Sequence, residues 1–90
     1  MPYLKPEERK RLDAAIDSLI KEIDQANRAG DLNYIINRLL LASTGEGRYK
    51  DFNELLGAIE AAKLEFYRRK IAPYEDKKIT ENGDLQGFQE

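Results

Sequence analysis

The sequence predicts an all-α protein: a helical hairpin followed by a long third helix, a small bundle completed by homo-oligomerisation. The apolar residues are mainly Leu and Ile, with no Val, no Trp and only two Thr, so helix-forming residues outnumber strand-forming ones. Apolar positions also recur three and four residues apart, which is the helical period. With 90 residues, we expect one helical domain over 1–84 and a flexible tail over 85–90.

The first helix is predicted to begin at Pro6, because proline fits a first helical turn. The apolar stripe of this helix comprises Leu12, Ile16, Leu19, Ile20 and Ile23. Gly30 is a residue type that often ends a helix. Asp31 is predicted to cap a second helix over about 32–43, whose composition is strongly apolar.

Two glycines mark a loop over 43–50, and Asp51 with Glu54 forms an acidic variant of the capping box. The third helix is predicted from about Phe52 to Glu81, with a kink or short break near Pro73. A helix of that length is longer than a domain of this size can cover by itself. We therefore expect a second copy of the chain to cover its far half.

Composition excludes most catalytic chemistry. The chain has no Cys and no His, so a thiolate metal site, a Cys nucleophile and the usual general base are absent. We expect no enzyme activity, no cofactor and no metal site. The net charge of −2 argues against nucleic acid as the main partner, and no apolar run is long enough to span a membrane. A cytoplasmic location is expected.

Arginine and tyrosine side chains are the candidates for binding a ligand. An arginine fork can hold a phosphate and a tyrosine ring can stack on a base, and Asn33 could bind a base edge. The structural alternatives stay open: a plain turn for the glycine loop, and packing or solvation for the helical residues. The candidate residues are Asn33, Tyr34, Arg48, Tyr49, Tyr67, Arg68, Arg69 and Tyr74.

Several short motifs together resemble a family of short phage and prokaryotic proteins of unknown function, and the resemblance covers most of the chain. By analogy, the resemblance implies a context in which small phage proteins without catalytic groups counter host defence, some as oligomers that sequester nucleotide immune signals. The motifs are Met1-Pro2-Tyr3, Gly30-Asp31-Leu32-Asn33-Tyr34 with Arg38-Leu39-Leu40, Lys63-Leu64-Glu65-Phe66-Tyr67-Arg68-Arg69, Pro73-Tyr74-Glu75-Asp76 and Asn82-Gly83-Asp84.

Three functions follow as hypotheses. The first is a non-enzymatic, homo-oligomeric binder of a small anionic nucleotide, which fits the Tyr and Arg content. The second is a protein-interaction or structural adaptor that uses the second apolar face of the third helix. The third is a nucleic-acid-associated helical protein, which the acidic charge balance disfavours.

Overall fold

A computed structural model describes residues 3–89 and confirms the all-α class; no strand occurs in that range. Met1 and Pro2 of the first motif, and Glu90 of the predicted tail, lie outside the described residues. The chain divides into two compact units between Leu55 and Leu56. The helices are α1 (Pro6–Glu22), α2 (Arg28–Ala42), α3 (Tyr49–Phe66) and α4 (Ala72–Asn82), with a π turn at Tyr67–Ile71 between the last two.

In the first unit, α1 begins as predicted at Pro6, and the Glu8 carboxylate accepts a 3.3 Å hydrogen bond from the Lys5 backbone N–H. The predicted end of α1 at Gly30 is wrong, because the helix stops at Glu22. Ile23 and Asp24 have extended backbones, and a 3-10 turn follows at Gln25–Asn27. Gly30 instead lies in the first turn of α2.

Asp31 explains this corner, although it does not cap α2 as predicted. Its Oδ2 accepts a 2.8 Å hydrogen bond from the Asp24 backbone N–H, seven residues back. The Asp24 carboxylate in turn accepts from the Ala26 N–H at 3.0 Å and caps the 3-10 turn. Two carboxylates therefore satisfy backbone donors that a continuous helix would have bonded internally.

The connection from α2 to α3 is the predicted loop, but α3 begins at Tyr49, three residues before the predicted start. Asp51 lies inside the first helical turn, so its assignment as the cap is wrong. Its Oδ2 accepts a 3.0 Å hydrogen bond from the Arg48 backbone N–H. This is the second half of a capping box, in which a side chain in the first turn reaches back to the residue before the helix.

Gly47 and Gly57 offer opposite tests of backbone preference. Gly47 has φ +73°, whereas Gly57 lies inside α3 with open space where a Cβ would stand. We expect Gly47→Ala to lower the free energy of unfolding by about 1 kcal/mol, and Gly57→Ala to raise it by about 0.5–1 kcal/mol. Urea unfolding of both variants checks this, and shifts of the same sign would contradict it.

In the second unit, α3 continues through the π turn into α4. The Ala72 N–H donates to the Tyr67 carbonyl, five residues back, and Pro73 follows within the first turn of α4. Proline has no N–H and its ring crowds the carbonyl four residues earlier, so the wider π turn is the form that the predicted kink takes.

α4 ends where Gly83 adopts φ +85°, which glycine permits without steric cost, and its N–H bonds to the Ile79 carbonyl at 2.8 Å. The chain then forms a 3-10 turn at Gln86–Phe88. The predicted tail therefore contains local structure at this point, and its mobility stays a prediction.

None of the described residues is buried. The element contacts join neighbours along the chain, α2 with its preceding 3-10 turn and α4 with the π turn. None of the helices among residues 3–89 is long and apolar enough to cross a membrane. Each long helix nevertheless keeps an apolar stripe, and the exposed large side chains on these stripes include Leu12, Ile16, Leu19, Ile20, Leu32, Ile36, Leu39, Leu56 and Ile59.

Candidate functional site

Asn33 and Tyr34 lie on adjacent positions of α2, and each contacts the residue four positions later. The Asn37 Nδ2 donates to the backbone and side-chain oxygens of Asn33 at 2.9 and 3.2 Å. The Arg38 Nη1 donates to the Tyr34 hydroxyl at 2.8 Å, and the Arg38 guanidinium carbon lies 5.6 Å from the centre of the Tyr34 ring. One turn of helix therefore presents an exposed ring and a guanidinium group together.

Arg48 and Tyr49 occupy the entrance of α3. The Arg48 Nε pairs with the Glu46 carboxylate at 2.8 Å, and both side chains are exposed. Tyr49 is among the most exposed large side chains of the chain. The guanidinium group at this loop therefore already has a carboxylate partner, and an anionic ligand would have to compete with it.

Arg68 and Arg69 share one acidic partner. The Glu65 carboxylate binds Arg68 Nη2 at 2.8 Å and Arg69 Nη1 at 3.1 Å, and the two guanidinium groups remain exposed. Residues three and four positions apart meet on a helix surface, so this cluster is a consequence of local sequence. It holds the two arginines close together and offers one positively charged patch.

Tyr67 and Glu75 contact each other across the π turn. The Tyr67 hydroxyl donates a hydrogen bond to Glu75 Oε1. Eight residues of regular α-helix turn through about 2.2 turns, which would rotate the Glu75 side chain by roughly 80° from that of Tyr67. The π turn alters that rotation and allows the bond. The hydrogen bond to Glu75 and the charge of Glu75, followed by desolvation and the charge of Asp76, raise the pKa of Tyr67 above its ordinary value.

We expect Tyr67 to ionise above the ordinary tyrosine range, because its pKa is raised. Since its pKa is raised in the folded protein, the associated stability is complete below the unfolded value of about 10. That stability is lost as the pH rises through the folded value. Absorbance at 295 nm against pH measures this, and Glu75→Gln should lower the pKa of Tyr67. A wild-type curve identical to that of Tyr67→Phe, after allowing for one fewer tyrosine, would contradict it.

A groove of about 730 Å³ lies at the end of α4 in the second unit, and we call it the α4 groove. Six of its lining residues define its chemistry: Tyr74, Glu75, Asp76, Asp84, Leu85 and Phe88. Tyr67 and Lys78 also line it, and the Lys78 ammonium lies 5.5 Å from the centre of the Tyr74 ring. Arg68 and Arg69 are not among its lining residues.

The structure thus places four predicted ligand residues in the first unit and four in the second. Within the second unit, Tyr67 and Tyr74 share a groove with carboxylates, whereas Arg68 and Arg69 are bound to Glu65 outside its lining. Sequence reasoning missed Arg38, although its position four residues after Tyr34 indicates a contact. It also missed the carboxylates and Phe88, which a π turn and Gly83 position.

No group of three or more His, Cys, Asp or Glu in residues 3–89 could hold a metal ion. Fold and site together describe a small all-α protein with paired surface charges and apolar helix faces. Residues 1–85 match the family model described as Domain of unknown function (DUF6899), and the chain belongs to this family. No curated protein and no solved structure matches the chain.

Proposed function

We propose that the protein is a non-catalytic interaction protein that works as a homo-oligomer. The observation that carries this proposal is the exposure of the apolar stripes. In the single chain, Leu39 of α2 is 60% exposed and Leu56 of α3 is 64% exposed, and both lie on stripes whose spacing is typical of a core-facing helix.

The free-energy cost of exposing these apolar side chains to water favours association of the chain with a partner. Covering one Leu or Ile side chain completely contributes about 1.5–3 kcal/mol, so burying the exposed part of Leu32, Ile36 and Leu39 contributes a few kcal/mol on α2 alone. Soluble monomers rarely expose contiguous apolar surface of this kind without a partner. α1 and α3 carry comparable stripes.

A second copy is the partner that we infer for these stripes. A second copy is present wherever the chain is made. A two-fold arrangement uses the same patch on both subunits, so the stripe of one copy can pack against the same stripe of the other. The apolar, uncharged character of the stripes fits an obligate interface, in which charged residues are depleted from the centre. The assembled protein would then present its charged faces to further partners.

Size-exclusion chromatography with light scattering tests this proposal. We expect a mass at least twice the chain mass of 10.4 kDa at micromolar concentration. The melting temperature should also rise with protein concentration, because association stabilises the folded subunits. A stable, folded monomer at 10.4 kDa that melts independently of concentration would overturn the proposal.

A second candidate function is sequestration of a small anionic nucleotide, as in a phage protein that counters a host defence signal. The Tyr34–Arg38 pair on α2 favours it, because an exposed ring and guanidinium group can stack on a base and bind a phosphate. The carboxylates of the α4 groove oppose it in the second unit, since they repel phosphate at Tyr67 and Tyr74.

A thermal-shift assay with cyclic and ADP-ribose-derived nucleotides tests this candidate. A ligand at about 100 times its dissociation constant adds about 2.7 kcal/mol, which raises the melting temperature of a domain of this size by roughly 10 °C or more. Arg38→Lys should reduce the shift without changing the melting temperature of the free protein. If no nucleotide shifts the melting temperature, this candidate is overturned and the interaction function is the one that remains.

A further inference from the structure

The α4 groove combines apolar side chains with an excess of acidic ones. Leu85 and Phe88, which follow the positive-φ Gly83, are 68% and 78% exposed and line one groove with Tyr74 and Ile79 of α4. The groove is also lined by three carboxylates, from Glu75, Asp76 and Asp84, against one ammonium group, from Lys78. Its lining therefore contains apolar side chains and carries an excess of negative charge.

The carboxylates of the α4 groove differ from the other acidic groups of the second unit. Glu60, Glu65 and Glu81 all pair with Lys or Arg on the same helical segment. Within the described part of the chain, Glu75, Asp76 and Asp84 have no basic partner. Glu75 accepts from the Tyr67 hydroxyl, and Asp84 accepts from the Leu85 backbone N–H at 2.7 Å.

Two observations indicate that the groove attracts positive charge. The Lys78 ammonium, which pairs with Glu81 at 3.1 Å, already lies over the Tyr74 ring, so this ring accepts a cation on its face. The hydrogen bond to Glu75, and after it the negative charge of Glu75, also hold the pKa of Tyr67 above its ordinary value. A cationic group entering the groove would neutralise this local excess.

We propose that the α4 groove docks a basic amphipathic segment of a partner protein. A Lys or Arg side chain of that segment would lie against the three carboxylates, and its neighbouring apolar side chains would cover Leu85 and Phe88. Charge complementarity favours a basic segment over an acidic one, and the apolar lining residues favour an amphipathic helix. This inference rests on the proposed interaction function and names the chemistry of the partner.

Fluorescence anisotropy with a labelled synthetic peptide tests the inference on the full chain. The probe is a 14-residue amphipathic Leu/Lys helix, and its matched control has every Lys replaced by Glu. We expect the Lys peptide to bind and the Glu peptide to bind at least tenfold more weakly. The double variant Asp76→Asn/Asp84→Asn should weaken the Lys peptide by about tenfold, and raised salt should reduce this difference.

A matched double variant, Asp13→Asn/Asp17→Asn, removes two carboxylates from α1 and should leave binding unchanged. Phe88→Ala should weaken binding of the Lys peptide at high salt as well, because its contribution is apolar. Equal binding of the two peptides would overturn the inference. An equal loss of affinity for the Lys peptide in both double variants would overturn it as well. Spermine is a further competitor. If spermine displaces the labelled Lys peptide at the same concentration as unlabelled Lys peptide does, the inference is overturned, since the groove would then be a site for small organic cations.

Light scattering on the same samples separates this inference from the proposed function. An assembly that shows no preference between the peptides contradicts the groove assignment alone. A monomer that prefers the Lys peptide contradicts homo-oligomerisation alone. If Asp76→Asn/Asp84→Asn dissociates the assembly, the groove is occupied by a second copy and the inference is overturned.

Discussion

Leu39→Glu is expected to convert the proposed homo-oligomer into a monomer of 10.4 kDa. In the single chain this side chain is largely exposed, so glutamate causes no steric or desolvation penalty there. In an assembly that covers the stripe Leu32, Ile36 and Leu39, the substitution removes apolar burial and places a charge in the interface. The combined loss is at least about 3 kcal/mol for each copy, which weakens association by 100-fold or more.

Light scattering at micromolar concentration measures the mass, and circular dichroism measures the melting temperature, which should fall with dissociation. Asn53→Glu is the matched control. It introduces one negative charge at an exposed position of α3 where the side chain has no hydrogen bond within the described residues. Retention of the wild-type mass by both variants would show that this stripe of α2 lies outside the interface.

Pro73→Ala is expected to raise the melting temperature by about 10 °C and to abolish the hydrogen bond between Tyr67 and Glu75. A proline inside a helix costs about 3 kcal/mol, whereas alanine gives the unfolded chain up to about 1 kcal/mol of additional freedom, so the net gain is about 2 kcal/mol. With a donor restored at position 73, the π turn can return to regular α-helix, which separates Tyr67 from Glu75.

Pro6→Ala is the control for this substitution. Pro6 occupies the first turn of α1, where the missing N–H has no helical acceptor, so its replacement should change the melting temperature little. In Pro73→Ala the pKa of Tyr67 should fall toward its ordinary value. An unchanged melting temperature and an unchanged Tyr67 titration would show that the π turn does not depend on the proline.

If the π turn shapes the α4 groove, Pro73→Ala should also weaken binding of the Lys peptide while the helical content is retained. This outcome separates a positioning role of the proline from a simple effect on helix stability. Equal affinity of wild-type and variant chains would show that the groove forms without the π turn.

The helical class and most helical segments followed from the sequence because they depend on local interactions. Side-chain period, the first-turn proline at Pro6 and the glycine loop act within a few residues, so they can be recognised without a structure. The ion pairs of Arg68 and Arg69 with Glu65 also have this origin. For the same reason, Arg38 could have been found from its spacing to Tyr34.

The errors arose where a side chain acts over a longer distance. Gly30 looked like a helix end, yet α1 ends at Glu22. Just beyond that end, the Asp31 carboxylate accepts a hydrogen bond from the backbone N–H of Asp24, seven residues earlier. The interpretation of Asp51 as a cap failed because a carboxylate can serve as the cap itself or as the first-turn residue that reaches back to it. Sequence alone does not distinguish the two.

Sequence by itself determined that this chain is helical, contains no Cys and no His, and carries apolar stripes at helical spacing. Only the tertiary structure decided how the second unit combines its side chains. It separated Tyr67 and Tyr74 from the two arginines and placed them with carboxylates instead. The physical reason is that a π turn and a glycine with positive φ change the direction of the chain, and side-chain rotation beyond such points does not follow from a regular period.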